Sequence, residues 1–162
     1  MQTTLNLDGA QLTVPTEELF RSWMRERVAV QAIPGSVPVL QQPHLDDGEV
    51  YVGAFVGADG SYLHHTVLLP FDRDVAPWSE QMDWAKGEGV ELPNRLELLM
   101  MWMTMRERFQ KTAYWACDVH HEDSADAWFQ GFGYGLQDST RKGAALRAVA
   151  VRRSPIQPFT HS

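Results

Sequence analysis

The chain has 162 residues, 44% hydrophobic and 22% charged, which is typical of a globular protein and excludes a disordered or fibrous one. This length fits a single domain with a buried core. The net charge of −7 makes nucleic acid an unlikely partner, because non-specific binding to phosphates needs a basic surface.

We expect a chain without an export signal or a membrane-spanning segment. Its first residues contain neither a basic region nor an apolar core of the secretory type. No apolar run approaches the length of a membrane span. The single cysteine, Cys117, allows no intramolecular disulfide. We therefore expect a cytoplasmic protein with no membrane partner.

The N-terminal region predicts a hairpin followed by a helix. Alternating apolar residues flank Asp8-Gly9, which is a two-residue hairpin signal. After Thr16, apolar residues recur at helical spacing up to Val28. We expect residues 1–31 to form this appendage. We expect residues 32–48, which contain three prolines, to form a linker.

The middle of the chain predicts a second hairpin and two helices. Residues 49–57 and 61–69 have strand composition on either side of a turn at 58–60. A first helix is expected to start at Trp78 and to stop near Gly87. For the second, Asn94 with Glu97 three residues later predicts a capping box. Its buried face is expected to carry the apolar residues Leu96, Leu99, Met100 and Met103.

The C-terminal third predicts short strands and loops. Strand composition is found at 113–119, 126–132 and 145–153, and we expect the segments between them to be loops. A basic stretch near the C-terminus is expected to pair with carboxylates across the sheet; its members are Arg141, Lys142, Arg147, Arg152 and Arg153.

Five segments in this order resemble the DUF1566 family, which includes the C-terminal domain of a Legionella collagen-like adhesin and many phage and prophage proteins. The segments are WSEQMDWA (78–85), ELPNRLEL (91–98), YWACDV (114–119), DAWFQGFGYGLQ (126–137) and LRAVAVRR (146–153). Where the family usually has Trp-Ser-Ser, this chain has Trp115-Ala116-Cys117.

The resemblance implies an α+β protein of the C-type-lectin-like fold. In that fold two helices flank a mixed, mostly antiparallel sheet, and the late loops form the ligand face. Residues 49–162 would form this domain, and the N-terminal hairpin and helix would be added to it. Because the related adhesin domain is oligomeric, the resemblance also leaves self-association open.

No residue pattern indicates catalysis, a cofactor or a metal site. A formylglycine-generating oxidase needs two cysteines, and this chain has one, which we expect to be a buried and inert thiol. The calcium-binding triplets of sugar-binding lectins are missing, with Glu91-Leu92-Pro93-Asn94 as the nearest match. The most metal-like motif is His120–Asp123, with His64 and His65 as distant candidates, but its spacing matches no known ligand pattern.

The late aromatic and amide residues are the best candidates for ligand binding. Rigid aromatic rings and adaptable amides suit a recognition surface. We expect Trp128 to lie in the core and Gln130 and Tyr134 to face solvent. The candidate ligand-binding residues are Gln130, Phe132, Tyr134, Gln137, Asp138, Thr140, Arg141, His120 and His121.

Two functions of different kinds remain open at this point. The first is a non-enzymatic recognition protein of phage or prophage type, which binds a protein or a glycan and can be virion-associated. The second is a phage-encoded intracellular effector that binds and inhibits a host protein, such as a component of host defence. The acidic charge favours a protein partner over a glycan.

Overall fold

The computed structural model describes residues 2–7, 10–15, 41–59 and 62–156. The chain divides into two compact units, Met1–Val39 with Phe159–Ser162, and Leu40–Pro158. In the first unit β1 (Gln2–Leu7) pairs antiparallel with β2 (Ala10–Pro15), which confirms the predicted hairpin. The predicted helix after Thr16, and most of the predicted linker, lie outside the described residues.

The second unit contains a mixed six-stranded sheet and two α-helices among its described residues. The sheet has one parallel pair, β8 with β5, and its other neighbouring strands are antiparallel. This confirms the α+β class and the mostly antiparallel sheet. The strand order is β3-β4-β8-β5-β6-β7. The elements are β3 (Val50–Val56), β4 (Tyr62–Ala76), α1 (Trp78–Gly87), α2 (Arg95–Met105), a 3₁₀ turn (Arg106–Arg108), β5 (Ala113–Val119), β6 (Asp126–Gly131), β7 (Gln137–Arg141) and β8 (Leu146–Ser154).

The two helices cover opposite faces of this sheet. Tyr114 and Ala116 of β5 belong to the core cluster that contains the buried face of α2. Trp115, between them, belongs to a second cluster that contains Ala85 of α1. Because successive side chains of a strand point to opposite faces, the two clusters lie on the two sides of the sheet.

Both helices begin at the residues that the sequence indicated. Asn94 accepts a hydrogen bond from the Glu97 backbone N–H at 2.9 Å. The Glu97 carboxylate in turn accepts from the Asn94 backbone N–H at 2.7 Å, so the predicted capping box is confirmed. Helix α1 is fixed differently, since the Trp78 indole N–H donates to the Ala116 carbonyl of β5 at 2.8 Å.

The predicted buried face of α2 is wrong in part, although Met100 does pack against the core cluster. Its buried residues are Glu97, Leu98, Met101 and Met105. Leu96 and Met103, which were expected inside, are exposed at 57% and 67%. The helix is apolar on most of its circumference, so more than one set of apolar residues has helical spacing. Packing against the sheet decides which set is buried.

The buried Glu97 carboxylate anchors the N-terminal end of α2 to the sheet. It accepts from Arg153 of β8 at 2.8 and 2.7 Å and from the Thr66 hydroxyl of β4 at 2.6 Å. Burial alone raises the pKa of Glu97, but the hydrogen bonds from Arg153, Thr66 and Asn94 outweigh burial and lower this pKa below its ordinary value. The carboxylate therefore stays ionised inside the protein.

The C-terminal arginines pair with carboxylates, as predicted. Arg147 contacts Asp72 at 3.1 Å and Asp74 at 2.9 Å, both on β4. Arg152 contacts Glu49 at 2.6 Å. Four of the five basic residues are thus neutralised locally, since Arg153 and Arg141 also have acidic partners.

Candidate ligand-binding surface

The structure divides the predicted ligand-binding residues between two faces of the sheet. Residues 137–141 were expected to form a loop, but they form strand β7, paired antiparallel with β6. Gln137 lies opposite Gln130 on the side of α2, whereas Asp138 lies opposite Phe129 on the side of α1. Thr140, two residues after Asp138, shares the α1 side. The prediction that all these residues share one surface is therefore wrong, because successive side chains of a strand alternate between the two faces of the sheet.

Gln130 is fully buried, so the prediction that it faces solvent is also wrong. Its side-chain amide donates to the carbonyls of Gly131 at 3.2 Å and Leu136 at 3.3 Å. Its side-chain oxygen accepts from Gln137 at 3.2 Å. Gln130 thus satisfies the backbone at the base of the β6–β7 loop, residues 132–136, and a ligand cannot reach it in this conformation.

Phe132 is buried as well, with 3% of its surface exposed. Its ring stacks on Phe109 with centroids 4.1 Å apart and meets Tyr114 edge-on at 5.2 Å. Its backbone N–H donates to the Thr112 carbonyl at 2.8 Å. Phe132 therefore holds the first residue of the loop against the core, and it is an anchor for the loop instead of a contact residue.

Tyr134 stands at the exposed tip of the same loop, with 98% of its surface accessible. The next residue, Gly135, has a positive φ of 76°. A Cβ built on Gly135 would lie 2.4 Å from the Trp102 ring, so only glycine allows this approach of the loop to α2. Tyr134 is thus presented to solvent by a loop whose flanking residues are fixed.

A stack of four side chains lies on the α2 side of β6, with Arg95 at the loop end and the two histidines towards the start of the strand, where the His120 N–H donates to the Asp126 carbonyl. The Arg95 guanidinium carbon sits 3.4 Å from the centroid of Trp128, and the His120 ring lies 5.1 Å from the same indole. The His121 ring follows at 4.8 Å from His120. Trp128, expected in the core, is half-buried at the edge of the α2-side cluster. The structure therefore brings both predicted histidines to the α2 side.

Gln137 connects the stack to the loop. Its side-chain oxygen accepts from Arg95 Nε at 3.1 Å, and its amide donates to the Arg95 carbonyl at 2.8 Å. Because it also bonds Gln130, the chain of hydrogen bonds runs from α2 through β7 to the base of the loop. This network fixes the relative positions of the charged, amide and aromatic groups.

Arg141, another predicted ligand residue, already has partners. Its guanidinium contacts Asp123 at 2.9 Å and Asp126 at 3.3 Å. A hydrogen bond from the Ala125 backbone N–H lowers the pKa of Asp123. Arg141 therefore closes the turn between β5 and β6, and its charge is neutralised there.

The histidine motifs have separate sets of partners. His120 Nδ1 accepts from the backbone N–H groups of Glu122 and Asp123, both at 3.3 Å. His64 contacts the Glu97 carboxylate at 3.1 Å, and His65 contacts the Tyr51 hydroxyl at 3.0 Å. Within the described part of the chain, no group of three or more His, Cys, Asp or Glu side chains is arranged to hold a metal ion.

Cys117 lies on the α1 side of the sheet, away from the loop. Burial raises the pKa of its thiol to about 11, and the nearby Asp118 adds to this effect. The thiol is therefore protonated at neutral pH, which makes it a poor nucleophile.

Sequence reasoning missed two residues that shape this surface, Arg95 and Trp102. No local pattern predicts the role of Arg95, because its position beside Trp128 depends on the contact between α2 and β6. Trp102 carried a weak signal, since Arg106 follows it by one helical turn. The Arg106 guanidinium carbon lies 5.6 Å from the Trp102 ring centroid. We define the loop surface as Arg95, Trp102, Arg106, Lys111, Trp128, Tyr134, Leu136 and Gln137.

Comparison with known proteins returned no match, either to a family model or to a curated protein sequence. Neither helix in the described part of the chain is long and apolar enough to cross a membrane.

Proposed function

We propose that this chain is a non-enzymatic recognition protein, of the kind that phages and prophages encode, and that it binds a macromolecular partner through the loop surface. The observation that carries this proposal is the exposure of Tyr134 on an anchored loop. Exposed tyrosines on fixed loops are frequent binding hot spots, because they supply a large contact area and lose little conformational entropy on binding.

The rigidity of the loop supports the proposal. Phe132 fixes the loop from below, and Gly135 fixes it against Trp102. The Gly131 and Leu136 backbones close its base with an N–H to carbonyl distance of 2.7 Å. A partner therefore meets a preformed surface, and preorganisation increases affinity because less order has to be gained on binding.

Exposed apolar groups on the loop and on α2 also support binding of a macromolecule. Leu136 is 57% exposed on the loop, and α2 exposes Leu96 and Met103. Two pockets of about 170 and 410 Å³ lie elsewhere and include no residue of the loop surface. A protruding aromatic tip suits insertion into a recess on a partner more than enclosure of a small molecule.

The architecture agrees with what the DUF1566 resemblance implies. Two helices on opposite faces of a mixed sheet, with a ligand face built from late segments, are expected of the C-type-lectin-like fold. We include this fold in the proposal. The loop 132–136 lies in the late part of the chain, where the resemblance places the ligand face.

The proposal is tested by affinity capture with two matched variants. Tyr134→Ala removes the exposed ring, and Val75→Ala removes an exposed apolar side chain on β4. Wild type and variants are used to capture partners from bacterial lysate, from phage particles and from a glycan array. We expect a partner that binds the purified wild type and Val75→Ala equally and binds Tyr134→Ala at least about ten times more weakly.

Two results would overturn the proposal. The first is a stoichiometric partner whose affinity is the same for Tyr134→Ala and wild type. The second is the absence of any saturable partner in all three preparations. A partner found only in lysate would favour an intracellular effector, and one found only on particles or glycans would favour a virion role.

A further inference from the structure

The cations beside the loop differ from those of the C-terminal strand. Arg147, Arg152 and Arg153 each contact one or more carboxylates. Arg95 and Arg106 have no carboxylate within salt-bridge distance of their guanidinium groups among the described residues, and the Lys111 amine likewise has none. The Asp118 carboxylate accepts from the Arg95 backbone N–H at 2.8 Å and partly offsets the Arg95 charge, whereas the side chains of Arg106 and Lys111 have no such partner among the described residues.

All three residues are neighbours of the loop or of the residues that hold it. Arg106 lies over Trp102, which the Gly135 backbone touches. The Lys111 carbonyl oxygen is 3.5 Å from where a Cβ on Gly133 would be. On the other side of the loop, Arg95 bonds Gln137. Three cationic residues thus lie near the loop that carries the exposed apolar residues Tyr134 and Leu136.

This local charge opposes the charge of the whole protein. The chain carries −7, yet between 95 and 113 the only acids are Glu97, which is buried, and Glu107. Arg153 compensates Glu97. An exposed patch of unpaired cations in an acidic protein attracts anionic groups at short range, where the local charges outweigh the distant ones.

We infer that the loop surface binds an acidic protein segment that carries an aromatic or aliphatic side chain among its Asp and Glu residues. The inference rests on the proposed function and names the partner class for the same surface. The acidic residues would pair with Arg95, Arg106 and Lys111. The apolar side chain would pack against Tyr134 and Leu136.

A protein segment fits better than a nucleic acid or a sulfated glycan. A long polyanion would extend beyond the patch and meet the overall negative charge of the protein. Sulfated sugars also lack the large apolar side chains that would pack on Leu136. A short segment can place its carboxylates on the three cations and leave the acidic surface untouched.

The test selects peptides from a randomised 12-residue display library on the purified full chain. We expect the selected peptides to be enriched in Asp, Glu and aromatic residues relative to the unselected library. Binding of a selected peptide should weaken about tenfold between low and high salt, because the contacts are charged and exposed. A heparin oligosaccharide and a single-stranded DNA serve as competing anionic probes.

Matched charge reversals localise the effect. Arg106→Glu and Lys111→Glu should each weaken binding of the selected peptides about tenfold. Lys86→Glu reverses an exposed charge on α1, on the other face of the sheet, and should leave binding unchanged. All three variants alter surface side chains, so thermal unfolding is measured in parallel to show that each one is folded.

The outcomes separate this inference from the proposed function. Peptides that need Tyr134 but show no acidic enrichment would overturn the inference and leave the proposed function standing. Peptides that bind Tyr134→Ala as well as wild type would count against both. A selection that yields no binding peptide would also overturn the inference. So would heparin or DNA, if either binds more tightly than any peptide and this binding depends on Arg106 and Lys111.

Discussion

The two ends of helix α2 have opposite surroundings. At the N-terminal end the Glu97 carboxylate is fully buried, and Arg153 and Thr66 of the sheet donate to it. At the C-terminal end Trp102 and Arg106 border an exposed loop, and Arg106 has no carboxylate partner in the described part of the chain. The same helix is thus anchored at one end and open at the other, with Arg95 of its first turn as the exception, since this residue belongs to the loop surface.

Because of this difference, the buried charged residue of the helix contributes to stability, whereas its exposed residues are available for binding. A buried charge has to be satisfied within the fold, so removing a partner costs several kcal/mol. An exposed aromatic or cationic side chain contributes little to folding, so it is free to contact another molecule. Substitutions at the anchored end should therefore change unfolding, and those at the open end should change binding.

Among the substitutions on α2, the largest effect is expected from Glu97→Gln. This variant removes the charge that compensates Arg153 and should lower the free energy of unfolding by about 3 kcal/mol. The measurement is urea denaturation followed by circular dichroism. Glu107→Gln, an exposed acid just beyond α2, is the control and should change stability by less than about 0.5 kcal/mol. Equal stability of the two variants would contradict the anchoring role.

Gly135→Ala should be the most damaging small change at the open end. The added methyl group would meet the Trp102 ring at 2.4 Å, and the positive φ of 76° is strained for alanine. We expect a loss of about 2 kcal/mol in unfolding free energy together with weaker partner binding. Gly143→Ala is the matched control, because a Cβ there meets nothing within 4 Å. A Gly135→Ala variant as stable as Gly143→Ala would show that the loop does not rest on Trp102.

Acid should weaken another anchored pair, Glu49 with Arg152. The hydrogen bond from Arg152, helped by the Asp46 backbone N–H, lowers the pKa of Glu49 from 4.5 to about 2. The unfolded chain binds this proton first as pH falls, so the stabilisation is complete above about pH 4.5 and is lost as pH falls towards 2. Urea denaturation should show the stability difference between wild type and Glu49→Gln shrinking across this window. A difference that does not change with pH would contradict the assignment.

The smallest change in stability is expected from Tyr134→Ala. Because the side chain is almost fully exposed, the free energy of unfolding should change by less than about 0.5 kcal/mol. The same substitution at the fully buried Tyr114 should cost about 3 to 5 kcal/mol. Thermal unfolding of the two variants measures the contrast. A large loss with Tyr134→Ala would mean that this ring supports the fold, and its use as a binding probe would fail.

Much of the fold could be predicted because local chemistry specifies it. Asp8-Gly9 predicted the first hairpin, and Asn94 with Glu97 predicted the start of α2. The strands at 113–119, 126–132 and 145–153 were found from β-branched and aromatic composition, with errors of one residue at some ends. The strand β7 was missed, because QDSTR has the polar composition of a loop and becomes a strand only by pairing with β6.

The candidate site was predicted less well, because it depends on which face each side chain occupies. Tyr134 is exposed as predicted, His120 and His121 lie on the same side of the sheet but at the other end of β6, and Gln130 and Phe132 are buried. Asp138 and Thr140 point to the other side of the sheet. Because residues 137–141 were interpreted as a loop, the alternation of side chains between two faces was not expected. The prediction therefore could not assign these residues to different faces.

By itself the sequence determined the elements whose signals span a few residues: the turns, the helix cap and most of the strands. It also indicated that the C-terminal arginines pair with acids. Tertiary structure alone decided which stripe of α2 is buried, which strands are neighbours and where Arg95 meets Trp128. The physical reason is that caps and turns are satisfied within a few residues, whereas burial and charge pairing depend on groups far apart in the chain.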